Sequence, residues 1–203
     1  TNDGDNIHVY IIMSGEKLHE VEENIKHFID KTRIPSIDVA IRNSEELLCI
    51  SDGFPVTVDG YRVIVVLKEL FEELSDHFVK YLGSGGAALL WHLGKKWGEI
   101  IAVKLGSRIS GPSTTLKRLT SIMEILRATG WGIFTLDAMD PIQCRGSISV
   151  RDSCELKSPL GCHFIRGVLA GILSEIFGVN ISVKEVVHND SGRCIFVFYC
   201  NNL

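Results

Sequence analysis

Apolar positions along this chain follow two periods, and the switches between them outline its elements. Residues 7–13 are a nearly continuous apolar run, expected of a buried strand, and Ser14-Gly15 breaks it. Leu18, Val21, Ile25, Phe28 and Ile29 then recur at helical spacing over 16–31, and Pro35 stops that helix. Two short strand-like segments follow, 36–43 and 46–51. Asp52-Gly53-Phe54-Pro55 is the strongest boundary signal. Beyond it, 56–66 reads as a hairpin turning at Asp59-Gly60.

The next two segments are helical. Leu67, Leu70, Phe71, Leu74, Phe78 and Tyr81 share one face of a helix over 67–81, and a longer helix runs from the Gly83-Ser84-Gly85-Gly86 cluster to about residue 105. Those glycines are not a phosphate loop, because a helix rather than a strand precedes them and no Gly-Lys-Ser/Thr follows. A helix-to-helix turn accounts for them. After Gly111-Pro112-Ser113, residues 114–128 carry the stripe Leu116, Leu119, Met123 and Leu126, ended by Gly130-Trp131-Gly132. Strands are expected over 132–140 and 146–153.

The last quarter carries most of the chemistry. Ser158-Pro159 has the composition of a helix start, and Ile165, Val168, Leu169, Ile172, Ile176 and Phe177 line one face as far as Gly178. Gly167 and Gly171 leave a smooth groove for another backbone or a ligand. A strand then places Ile181, Val183, Glu185 and Val187 on one side, so Glu185 stands where a packed sheet wants an apolar group. The turn 189–193 returns the chain into the strand 194–200 and brings His188 and Cys194 together. Glu185 and His188, three apart in a strand, act jointly only if a bulge intervenes. Cys162, Glu185, His188 and Cys194 then offer two thiolates, a carboxylate and an imidazole, a set suited to tetrahedral zinc. Ordinary readings stand beside it: a core cysteine at 162, a solvated His188, and Glu185 paired with Lys184 or Arg193.

Composition narrows the class. The chain has 203 residues, 45% apolar and 23% charged, with net charge −4, which suits a globular domain with a small extension and gives no sign of a polyanion partner. Lys95, Lys96 and Lys104 read as a solvated helix face, so direct nucleic-acid contact is not expected. No apolar run reaches the roughly 20 residues of a membrane span, and no signal peptide is visible. Six cysteines, at 49, 144, 154, 162, 194 and 200, are too few and too irregular for a disulfide scaffold, which points to a reducing cytoplasm. Cys49 and Cys200 read as small buried hydrophobes. The chain opens on Thr1, as a processed or excised chain would, and an upstream effector or DNA-binding domain is a corresponding expectation.

Residues 1–52 resemble, in their β-α-β-β order, half of a ferredoxin-like or ACT-like unit, and an added layer on the main domain fits them equally well. The pattern Gly161-Cys162-x-Phe164-x-x-Gly167-x-Leu169-x-Gly171, then Glu185-x-x-His188, then Gly192-x-Cys194-x-Phe196, resembles the 4-vinyl reductase domain family over about 53–200. Gly85-Gly86 and Gly94-x-x-x-Gly98 agree with it. The resemblance implies an α/β (α+β) fold related to the TRAPP tethering subunits, with an antiparallel sheet and packed helices, here a ligand-binding domain over 53–203. It implies aromatic-sensing regulator domains as relatives, and by position a zinc site at Cys162, Glu185, His188 and Cys194. His188 stands where those sensors have cysteine, and the turn to Cys194 is about two residues shorter than theirs.

The function expected is a small-molecule-binding sensory or regulatory module, with structural zinc beside an apolar pocket for a hydrophobic or aromatic ligand. Trp91, His92, Trp97, Trp131 and Phe134 are the candidate pocket residues, each of which ordinary core packing also explains. Enzymatic reduction of a tetrapyrrole vinyl group is the first alternative. It lacks a nicotinamide or flavin fingerprint, and four protein ligands leave zinc no open position. A dimeric, TRAPP-like assembly module with an acyl chain in the Gly167/Gly171 groove is the second. A homodimer is expected on the sensory reading as well.

Overall fold

The computed structural model describes residues 57–58, 61–105, 115–155, 161–189 and 193–200, with Glu23 and His27 helical and the side chains of 57–58 and 187–189 excluded. The boundary signal at 52–55, the expected elements of residues 1–52, Cys49 and Ser158-Pro159 lie outside those residues. The chain divides into two compact units, Thr1–Val63 and Ile64–Leu203. In the first, β1 (Thr57–Val58) pairs with β2 (Tyr61–Arg62) antiparallel. The second arm is shorter than expected: after Arg62 the chain leaves the ladder, and Ile64, Val65 and Val66 are exposed.

The second unit runs α1 (Lys68–Leu82), α2 (Ser84–Lys104), α3 (Thr115–Ala128), β3 (Ile133–Asp140), β4 (Arg145–Arg151), α4 (His163–Phe177), β5 (Ile181–Asn189) and β6 (Arg193–Cys200). The strands form one antiparallel sheet in the order β3-β4-β6-β5. It is a mixed helix-and-sheet fold, as the patterning implies. Ile148 and Val150 on β4, with Cys194, Phe196 and Phe198 on β6, bury one sheet face. α4 covers the sheet and is apolar nearly all round, with Phe164, Ile165 and Val168–Leu173 buried. A helix of that composition needs cover on both sides; α2 supplies the second.

Glycines bring α2 and α4 into backbone contact. A Cβ at Gly94 would lie 2.2 Å from the Phe164 carbonyl oxygen, and one at Gly98 2.1 Å from that of Val168. Reciprocally, a Cβ at Gly167 would meet the Trp91 carbonyl oxygen at 2.2 Å, and one at Gly171 that of Lys95 at 2.1 Å. The groove expected at Gly167 and Gly171 is therefore filled by α2, which leaves no room there for an acyl chain. Gly83, with φ 55°, makes the turn between α1 and α2.

The buried faces differ in places from the expected stripes. On α1, Ser75 and Val79 are buried with Phe71 and Phe78 partly so, whereas Leu70, Leu74 and Tyr81 are exposed. On α3, Leu119, Ile122, Met123 and Leu126 are buried and Leu116 is exposed. Periodicity places apolar groups on a helix side without saying which edge of that side meets a partner. Cys200 is half-buried rather than enclosed. Among the described residues no helix is long and apolar enough to cross a membrane.

Candidate metal centre and aromatic cluster

Three of the four expected ligands meet at the start of α4. Cys162 takes the position preceding the helix and, like Cys194, is fully buried. Their sulfurs are 3.0 Å apart. Ligand atoms of Cys162, Glu185 and Cys194 all lie within 4.8 Å of one another, the one such group among the described residues. The Cys162 backbone N–H donates to Glu185 Oε2 at 3.0 Å, fixing the carboxylate beside the sulfurs. Gly161 makes this approach possible: its φ is +96°, and a Cβ there would lie 2.7 Å from Glu185 Oε2.

The strand geometry supplies the bulge that a shared role for Glu185 and His188 demands. Glu185 pairs with Phe196 and Val187 with Ile195, so Val186 is the extra residue. That shift returns position 188 to the face of Glu185, directly opposite Cys194, and moves position 187 to the other face. The side chain of His188 lies outside the described residues. Despite the short turn, Cys194 reaches Cys162.

Hydrogen bonding with Cys194, and then burial, push the Cys162 thiol well above the ordinary thiol range. Two enclosed sulfurs do not both ionise without a compensating cation, and a coordinated metal deprotonates its thiol ligands. Soft sulfur donors with a carboxylate suit zinc. Two thiolates on one zinc stand about 3.8 Å apart given Zn–S bonds of about 2.3 Å, so an ion would part these sulfurs by under about 1 Å. The donor set fits that metal.

A fifth residue, Glu155, organises the site. Ser158 was expected to cap α4, but the helix starts at His163, and Cys162 makes no side-chain cap bond. Glu155, only 2% exposed, takes that role from outside the helix: Phe164 N–H donates to Oε1 at 2.9 Å and Ile165 N–H to Oε2 at 2.8 Å. Ser153 Oγ accepts the Glu155 N–H at 3.3 Å and lies 4.0 Å from Cys162 Sγ. The signal available was an acidic residue shortly before an apolar helix whose first turn holds no Asp or Glu of its own.

Burial pushes the Glu155 carboxyl up to about 7, against the pull of the two backbone donors, and the nearby Glu185 charge adds to the rise. A folded value above the unfolded 4.5 means that protonation favours the fold. The contribution is complete below about pH 4.5 and is lost as pH rises through about 7. Glu155→Gln removes the titration. Wild type is therefore expected to lose melting temperature relative to Glu155→Gln between those values, measured in parallel thermal melts; a relative gain would contradict this.

The candidate pocket residues separate into three places. Trp97 and Trp131 meet edge to face at 4.6 Å, joined by Phe164 and Phe71, with Trp131 and Phe164 stacked at 5.5 Å and Phe71 and Phe164 edge to face at 5.0 Å. Trp97 remains 40% exposed, so this cluster opens to solvent. Trp91 contacts His92 at 4.8 Å elsewhere on α2, His92 is exposed, and Phe134 belongs to the core. Phe71 and Phe164, which are not among the candidate pocket residues, complete the cluster; Phe164 stands in the motif two residues after Cys162.

The phenol-responsive sensory domain of the transcription activator PoxR, solved with phenol, superposes with a TM-score of 0.64 at 16% identity, over 75% of this chain and 84% of that one. The chain shares that sensory domain's fold. A vinyl-4-reductase family protein from Methanocaldococcus jannaschii is also similar, with a TM-score of 0.42 at 18% identity over 95% of this chain and all of that one. So is trafficking protein particle complex subunit 3 from Naegleria fowleri, covalently bound to palmitic acid, with a TM-score of 0.49 at 11% identity over 66% and 95%. No family model and no curated protein matches the chain.

Proposed function

We propose that residues 64–203 form a small-molecule-binding sensory module, in which zinc pins the β5–β6 hairpin to the start of α4 beside an aromatic ligand site. The observation that carries this is the meeting of two features at one helix end. Cys162, Glu185 and Cys194 converge there, and Phe164, two residues on, belongs to the open aromatic cluster. The fold shared with a phenol-responsive domain supports the same reading. Zinc would be held by the two sulfurs and Glu185, with His188 as fourth ligand from its position opposite Cys194. Bound there it supplies a crosslink and charge compensation for two buried thiolates. Glu155 keeps the helix end fixed, and the rings offer edges and faces to a planar guest.

The ligand class proposed is a small aromatic molecule at Phe71, Trp97, Trp131 and Phe164. In thermal-shift titrations phenols are expected to raise the melting temperature of wild type and to lose that effect in Trp97→Ala. Stabilisation by acyl chains or tetrapyrroles instead would contradict the aromatic assignment. His188→Ala is expected to lower zinc affinity about 10-fold or more while leaving the zinc-saturated fold intact; unchanged affinity would remove His188 from the ligand set. A homodimer belongs to the same proposal. Leu89, Leu93 and Ile100 recur along one exposed side of α2, away from the glycine side that packs on α4. Light scattering is expected to give twice the chain mass, falling to one in Leu93→Glu.

A further inference from the structure

A concave site lined by none of the metal-capable residues lies between α2, α4 and the edge strand β5. It is a cleft of about 440 Å³, and its charged lining is all of one sign: Lys95, Arg166 and Lys184, with no carboxylate among the lining residues. Each cation comes from a different element, so the grouping is produced by the fold and not by a local run of charge. Arg166 and Lys95 are half-buried. Among the described residues none of the three is in an ion pair. Arg166 meets His163 Nδ1 at 3.3 Å, and Lys95 donates to Asn180 Oδ1 at 3.0 Å while lying 5.6 Å over the Trp91 ring.

Three cations sharing one partly desolvated cleft repel one another, relieved only in part where the Arg166 charge acts on the buried Glu155 carboxyl, and the single contact at His163 leaves much of the guanidinium's hydrogen-bonding capacity unused. An oxyanion reverses both terms. Arginine presents a fork matched to carboxylate or phosphate, and lysines add point charges on either side. Trp91 lines one wall and Tyr199 another, so a planar body attached to the anion has apolar surface to lie against. The volume suits a small molecule and not a polymer.

We propose that this cleft binds a small organic oxyanion, a carboxylate or phosphate carried on a planar body, through Arg166, Lys95 and Lys184. This inference is independent of the zinc site and of the aromatic cluster, which involve other side chains. The fold gives the two sites a common rod: α4 carries Cys162 at its start and Arg166 in the following turn.

Titrating isotope-labelled, zinc-replete protein with benzoate, inorganic phosphate, adenosine monophosphate and neutral phenol, followed by NMR, tests it. Benzoate or adenosine monophosphate is expected to shift the Trp91 indole N–H and the amides of Ser182 and Lys184. Stronger shifts with benzoate assign the carboxylate, and stronger shifts with the nucleotide or inorganic phosphate assign the phosphate. Arg166→Gln is expected to weaken binding about 10-fold or more, and Lys184→Glu, an exposed change that leaves packing untouched, several-fold. Binding should also weaken as salt rises. Absence of these shifts with every anion, or anion affinity unchanged in Lys184→Glu, overturns the proposal. Failure of the sensory reading would appear separately, as loss of the phenol response at Trp97 with anion binding intact.

Discussion

Cys194→Ala is expected to have the largest effect of any single substitution in the domain. The residue is fully enclosed, touches the Cys162 sulfur and sits in the β6 ladder opposite Val150. On the zinc reading its loss removes one of two sulfur ligands. Structural zinc contributes on the order of 10 kcal/mol in small domains, comparable with the roughly 5–15 kcal/mol that holds a whole domain folded. The variant should therefore show no cooperative melt, or melt like wild type treated with a chelator. Cys162→Ala should do the same, and the double variant should be scarcely worse than either single one, because both remove the same ion. Calorimetry with and without chelator checks this. A drop of a few degrees for each, adding in the double variant, would mean that the cysteines are only core packing.

The second large effect is expected at Gly98. Replacing a mid-helix glycine with alanine ordinarily stabilises by up to about 1 kcal/mol. At Gly98 the sign reverses, because the new Cβ would lie 2.1 Å from the Val168 carbonyl oxygen and 2.9 Å from its carbon. Backbone cannot rotate away as a side-chain tip can, so α2 must lift off α4 and loosen the contacts made by Gly94, Gly167 and Gly171. Overpacking of this kind costs about 1–3 kcal/mol or more. Gly85→Ala, in the first turn of the same helix with nothing within 4 Å, is the control and should be neutral or slightly stabilising. Chemical denaturation of the two variants is the test, and equal midpoints would show that the helices do not rely on this close approach.

Element order from residue 67 onward was legible because apolar period and glycine punctuation agree in nearly every segment. The α1–α2 turn, the β3–β4 pair and the β5–β6 hairpin all fall where those signals place them. What the pattern could not carry was partner choice. Gly167 and Gly171 announced a close approach, but only the fold shows that the approaching surface is the α2 backbone. Trp91 and Trp97 are six residues apart on one helix and looked like one pocket wall, yet only Trp97 reaches Trp131.

The metal-capable residues were legible as types, and their convergence depended on two local features without a sequence signature. One is the bulge at Val186, which reverses the alternation of a strand that reads as regular. The other is the left-handed conformation of Gly161, which admits the Glu185 carboxylate. Glu155 leaves only a faint trace, an acid ahead of an acid-free first turn, because it caps a helix that begins eight residues later, beyond the reach of local capping rules.

X-ray absorption at the zinc edge of the purified protein tests whether a zinc ion joins α4 to the β5–β6 hairpin. One zinc per chain is expected, with two sulfur neighbours at about 2.3 Å and two nitrogen or oxygen neighbours at about 2.0 Å, the sulfur shell halved in Cys162→Ala or Cys194→Ala if either variant still binds metal. A folded, ligand-responsive protein with no zinc, or with zinc whose neighbours contain no sulfur, would contradict it.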